Sequence, residues 1–113
     1  MWLFTIHGFY SLVRSPEGWQ VRARVKQDLT KLRDVAGVTA DVLESRCGSD
    51  YPWLMVVDER EKDALFRELS NTVEYDNFKS AIGRTPDQAD KRHAYHQVWA
   101  TMTLLEKEPD PAE

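Results

Sequence analysis

WLFTIHGFYSLVRSPEGWQVRARV, residues 2–25, is the stretch whose reading decides the fold. Side chains of a strand alternate between its two faces, so hydrophobicity with a period of two marks one. Trp2, Phe4, Ile6, Tyr10 and Leu12 fall on one parity, and Leu3, Thr5, His7, Phe9 and Ser11 on the other. One long strand is expected, bulged or bent at Gly8. Ser15-Pro16-Glu17-Gly18 has turn chemistry, and beyond it Val21, Ala23 and Val25 alternate with Arg22 and Arg24. The two runs predict a hairpin that turns Trp2, Phe4, Ile6 and Tyr10 toward a helical layer. His7 and Phe9 then point the other way, joined there by Arg22 and Arg24.

From Lys26 the period lengthens. Leu29, Leu32, Val35 and Ala36 recur at helical spacing, and Gly37 supplies a C-terminal stop. VTADVLES (38–45) and YPWLMVV (51–57) predict a second strand pair around the loop CGSD (47–50). Asp58 then opens a helix, since its carboxylate can accept early backbone N–H groups while Glu61 reaches back in a capping box. Leu65, Phe66, Leu69 and Val73 would be its buried stripe. EYDNFKSAIGR (74–84) is a connector with one short helical turn, anchored by Phe78 and Ile82. Thr85-Pro86 gives an N-cap and a proline at the first helical position, predicting a last helix that runs to about Lys107.

Two strand-strand-helix units imply an α+β domain: an antiparallel sheet with helices on one face, ferredoxin-like or circularly permuted ferredoxin-like (ββαββα plus a C-terminal helix). Residues 1–108 are expected to form a single domain and 109–113 an acidic, disordered tail.

Composition narrows the function. The 42% hydrophobic and 30% charged content fits a folded chain in water, and no apolar run approaches bilayer length. No basic residue precedes the apolar start and no small-residue cleavage site follows it, so a signal peptide is not expected. Cys47 is the single cysteine, which excludes an intrachain disulfide and any multi-cysteine zinc site and makes the cytoplasm the expected location. In RCGSD it reads as a passive loop thiol. The net charge of -4 is uneven: residues 1–57 carry seven Lys/Arg against six Asp/Glu, and residues 58–113 eight against thirteen. A chain-wide electrostatic footprint for nucleic acid is absent.

HAYHQVW (93–99) concentrates chemistry-bearing side chains in two helical turns. At about 100° per residue Tyr95, Val98, Met102 and Leu105 share one face with Trp99 on its shoulder, which reads as a core stripe. His93 falls roughly opposite it and His96 at its edge beside Arg92. A His-x-x-His pair needs further ligands to hold a metal, and only His7 and Asp90 offer themselves. No metal or cofactor is therefore expected. Nor is there a nucleophile elbow, a Gly-rich phosphate loop or a paired-carboxylate motif. Tyr75, Asn77 and Lys79 surround Phe78 and make a candidate binding rim with Arg92, His93 and His96, although Asp76 and Asn77 also suit a plain turn. His7, Phe9, Arg22 and Arg24 make a second candidate, a sheet face of the kind that stacks single-stranded bases; the consensus of the RNA-recognition domain is missing, however, and Phe9 is a single aromatic.

The strings WLFT (2–5) and GFYS (8–11), VRAR (21–24), YDNFKS (75–80) and HAYHQVW occur in an order that resembles an uncharacterised family of small bacterial proteins. The resemblance implies no activity, only a stand-alone bacterial cytoplasmic protein. With four tryptophans and no assembled catalytic motif, the chain reads as a non-enzymatic interaction module. A second copy or another protein is the expected partner, with neither membrane nor nucleic acid in that role. The alternatives are a small enzyme using His93 or His96 as general base on an anionic substrate, and single-strand RNA binding through the open sheet face.

Overall fold

The single long strand expected at the start is in fact two strands. In the computed structural model, which describes residues 1–45 and 49–106, β1 (Trp2–Thr5) and β2 (Gly8–Ser15) are joined by a turn at Ile6 and His7. Thr5 builds that turn. Its hydroxyl donates to the Gly8 carbonyl (2.9 Å) and accepts the backbone N–H groups of His7 and Gly8, both at 3.1 Å. Gly8 is required on two counts: its φ of 152° disfavours any L side chain, and a Cβ there would collide with the Asp28 side chain.

The turn inverts the parity. Antiparallel partners point to the same face of a sheet, and Leu3 pairs with Tyr10 and Phe4 with Phe9. Odd residues of β1 therefore join even residues of β2. Leu3, Tyr10 and Leu12 face the helices, whereas Trp2 and Phe4, expected beneath them, lie on the opposite face with Phe9. The placement of Phe9 agrees with the alternation; that of Trp2, Phe4 and His7 does not.

The chain divides into two compact units, residues 1–76 and the residues from Asn77 onward. After Pro16 and Glu17 turn the chain, β3 (Gly18–Ala23) completes the hairpin with β2, and α1 (Lys26–Ala36) follows, ended by Gly37 in the left-handed conformation (φ 71°). β4 (Leu43–Glu44) and β5 (Trp53–Val57) form the second pair, and α2 (Glu59–Asn71) closes the first unit. Every pairing is antiparallel, in the order β1-β2-β3-β5-β4. β4 is much shorter than the expected strand, because Val38, Ala40 and Val42 pack on the core outside any ladder. The capping box of α2 is present: the Glu61 N–H donates to Asp58 (2.8 Å), and the Asp58 N–H donates to Glu61 (3.1 Å).

Tyr10, Val21, Ala23, Met55 and Val57 from the strands meet Leu29 and Leu32 of α1 and Leu65 and Leu69 of α2 in one core cluster. Both helices thus cover the same sheet face. Val73, expected in the stripe of α2, lies past the helix end and is exposed. Trp19 and Trp53 edge the core under cations: Arg14 and Lys62 lie over Trp19, and Lys26 over Trp53.

In the second unit α3 (Phe78–Arg84) has two turns, not one. Asn77 starts it by accepting the Ser80 N–H at 2.9 Å. Thr85 ends α3 instead of opening the last helix, its hydroxyl donating to the Ala81 carbonyl at 2.9 Å. A turn and a 3-10 segment (Ala89–Lys91) follow, and α4 (Arg92–Met102) begins six residues later than Thr85-Pro86 predicts. A second 3-10 turn, Thr103–Leu105, extends it. Tyr95 is buried, with its ring centroid 5.8 Å from that of Phe78. The rest of the expected core stripe is not: Val98, Trp99, Met102 and Leu105 are all exposed. Cys47 and the acidic tail at 109–113 lie outside the described residues.

Candidate functional site

The second unit gathers most of the basic side chains singled out from the sequence. Lys79 on α3, Asp90 on the 3-10 segment, and Arg92, His93 and His96 on α4 line one open concavity of about 570 Å³. Asn77 fixes where α3 starts, and Lys79, two residues on, projects toward α4. There the ammonium lies 3.2 Å from Nδ1 of His96 and 4.3 Å from the centroid of the Trp99 ring. His96 in turn stacks on Trp99, with ring planes 23° apart.

An ammonium has donors only, so it donates to Nδ1 of His96. Neutral His96 then carries its proton on Nε2. On the neighbouring turn, the Gln97 amide nitrogen lies 3.1 Å from Nε2 of His93. Arg92 is placed by a missing side chain: a Cβ on Gly83 would sit 3.4 Å from its guanidinium, so the arginine lies against bare α3 backbone. Neither Lys79 nor Arg92 has a carboxylate within ion-pair distance among the described residues, Asp90 included.

Two members of the expected rim are elsewhere. Asn77 is occupied as the cap of α3. Tyr75 belongs to the first unit and lines a concavity there with Leu3, Phe4, Phe66 and Leu69.

No protein-family model, curated protein or solved structure matches this chain. Its chemistry has to be read from its own side chains. Among the described residues no group of three or more His, Cys, Asp or Glu side chains is placed to hold a metal, and no helix is long and apolar enough to cross a membrane.

The second candidate set divides. Phe9 lies on the sheet face away from α1 and α2, stacked on Phe4 and edge-on to Trp2. Arg22 shares that face. It donates to Ser11 (2.8 Å) and lies 4.6 Å from the centroid of the Tyr51 ring. Arg24 lies over the same ring and donates to the Asp50 carbonyl (2.9 Å). His7 is not on this face. It is buried in the turn, with Nε2 3.5 Å from Glu68 of α2.

Sequence reasoning missed Trp2, Phe4 and Tyr51 as members of the aromatic face, and Trp99 as the ring beneath Lys79. The signal for Trp99 was present, since i and i+3 positions are neighbours on a helix and His96 is three residues before it. The signal for Trp2 and Phe4 was the two-residue turn, which alternation alone does not show.

Proposed function

We propose that this chain is a non-enzymatic interaction module that pairs with a second copy of itself through the apolar face of α4. The exposed apolar stripe carries this reading. Val98, Trp99 and Met102 share a helix face with buried Tyr95, and Leu105 continues it, yet all four are exposed, Trp99 by 59%. Helices that show such a face to water are completed by a partner.

The spacing favours a second copy. Tyr95, Val98, Met102 and Leu105 are separated by three, four and three residues, a pattern that reads the same in both directions. An antiparallel copy related by a two-fold axis would set Val98 beside Met102 in both directions and bring Leu105 over the Tyr95 end of the partner helix, the self-complementarity that an isologous contact requires. The connectivity β2-β3-α1-β4-β5-α2, with the strands in the order β2-β3-β5-β4, supports a circularly permuted ferredoxin-like sandwich as the scaffold. In this reading the protein works in the cytoplasm of a bacterium, as the resemblance of its strings implies.

Light scattering on the eluting protein tests the pairing. The native chain should run at twice its 13.1 kDa mass and Met102→Glu at the single-chain mass. A native protein that stays monomeric at high micromolar concentration would sink the reading.

A second reading, single-stranded nucleic acid on the open sheet face, is favoured by the cluster of Trp2, Phe4, Phe9 and Tyr51, which supplies more aromatic surface than Phe9 alone. Both nearby arginines are already engaged. An electrophoretic assay at low salt decides it, because an absent shift removes the reading.

A further inference from the structure

We propose that the concavity formed by Lys79, Arg92, His93 and His96 binds a small phosphate monoester. The site lies on the flank of α4 beside the apolar stripe, and the inference does not depend on self-pairing.

Uncompensated positive charge points to an anion. The whole chain carries -4, yet residues 77–105 carry four Lys/Arg against two Asp/Glu. Two of those four, Lys79 and Arg92, line this one concavity and pair with no carboxylate among the described residues. Surface cations are commonly relieved by a neighbouring carboxylate. Here the one carboxylate in the lining, Asp90, stays out of reach of both.

The donors are also held in place. Lys79 is fixed between Nδ1 of His96 and the Trp99 ring, and that contact leaves His96 with Nε2–H as a free-standing donor. Arg92 rests on α3 where Gly83 provides no side chain. His93 is steadied by Gln97 one turn on. Groups already ordered lose less freedom when a ligand arrives.

The donor set selects among anions. A phosphate monoester carries a charge of about -1.5 to -2 near neutral pH and three oxygens that accept hydrogen bonds. The two fixed cations match that charge. The planar guanidinium can fork onto two oxygens, while the ammonium and the imidazole N–H groups meet the third. A monocarboxylate has one charge and two coplanar oxygens, and so leaves donors unused. The opening of about 570 Å³ has room for the organic part of the ester. No hydrolysis is part of the inference, since no nucleophile is placed against the site.

The test is a titration of the full ¹⁵N-labelled chain with inorganic phosphate and with glycerol phosphate at constant ionic strength, followed by the imidazole resonances. The chain has three histidines, and His7 serves as the internal control. His93 and His96 should shift to saturation at one ligand per chain while His7 stays still. Lys79→Gln and Arg92→Gln should each weaken binding by about tenfold, the scale of a lost charge-assisted contact. Lys26→Gln on α1 should leave it unchanged, and acetate should bind at least about tenfold more weakly. A shift that grows without saturating, one that sodium chloride reproduces, acetate binding as tightly as phosphate, or equal weakening by Lys26→Gln would each overturn the assignment. Circular dichroism of each variant verifies that the fold is intact.

Discussion

Phe4 stacks on Phe9 across the first hairpin, with ring centroids 4.7 Å apart and planes 27° from parallel. Positions four and nine have opposite parity, so a single strand would put these rings on opposite faces. The two-residue turn at Ile6 and His7 brings them together. Trp2 joins them from β1, edge-on at 6.4 Å, and Tyr51 from the far side at the same centroid separation. One small turn thus moves two large aromatics out of the core and assembles an aromatic surface on the sheet.

That turn depends on Gly8. Gly8→Ala should cost about 2–4 kcal/mol, combining backbone strain at positive φ with overpacking against Asp28. Gly37→Ala is the comparison. Its φ is also positive, but a Cβ there meets nothing within 4 Å, so it should cost only about 1 kcal/mol. Urea titrations of both variants measure the difference. Equal losses would mean that the approach of Asp28 to Gly8 contributes nothing.

Asp28 also ties α1 to the sheet. Its backbone carbonyl accepts the hydroxyl of Tyr10 at 2.7 Å, and the Tyr10 side chain is fully buried in the core. Tyr10→Phe preserves the ring packing and removes this bond. The expected loss is about 1–2 kcal/mol, with an unchanged denaturant slope. A neutral result would show that the hydroxyl does no more than fill space.

The fold could be read from local chemistry wherever one residue type settles a local question. Gly37 ended α1 and the Asp58/Glu61 pair opened α2 as their sequence signatures require. The hairpin at Ser15–Gly18 was equally plain. The misses share a cause, which is that a local signal can serve two structures. Thr85-Pro86 suits a helix start, but the Thr85 hydroxyl closes the preceding helix by bonding to Ala81. The stripe Tyr95–Leu105 has the period of a core face, and periodicity does not reveal that of these residues Tyr95 alone is buried. In the candidate site Lys79, Arg92, His93 and His96 could be found from charge and spacing. Asn77 could not be separated from its role as a cap, nor Tyr75 from the first unit, because both depend on where helices start and stop.

The capping box gives a sharper test of helix initiation. Asp58→Ala removes the acceptor of the Glu61 N–H and should destabilise the protein by about 1 kcal/mol. Asp58→Asn, which retains an accepting oxygen, should recover most of that loss. If both variants lose the same amount, the negative charge at the start of α2 matters more than the hydrogen bond.

Self-pairing through α4 makes melting depend on concentration. For a dimer, each tenfold increase in protein concentration favours the folded pair by about 1.4 kcal/mol, enough to raise the midpoint by a few degrees for a chain of this size. The native protein should show that rise. Met102→Glu, which puts a charge in the middle of the stripe and away from Lys79, should melt at one temperature whatever the concentration. Leu104 provides the control, since on the helical wheel it falls roughly opposite Tyr95 although it is 80% exposed. Leu104→Glu should therefore behave as the native protein does. If Leu104→Glu abolished the concentration dependence as completely as Met102→Glu, the association would be unspecific stickiness at the end of the helix, and the stripe would lose its standing as an interface.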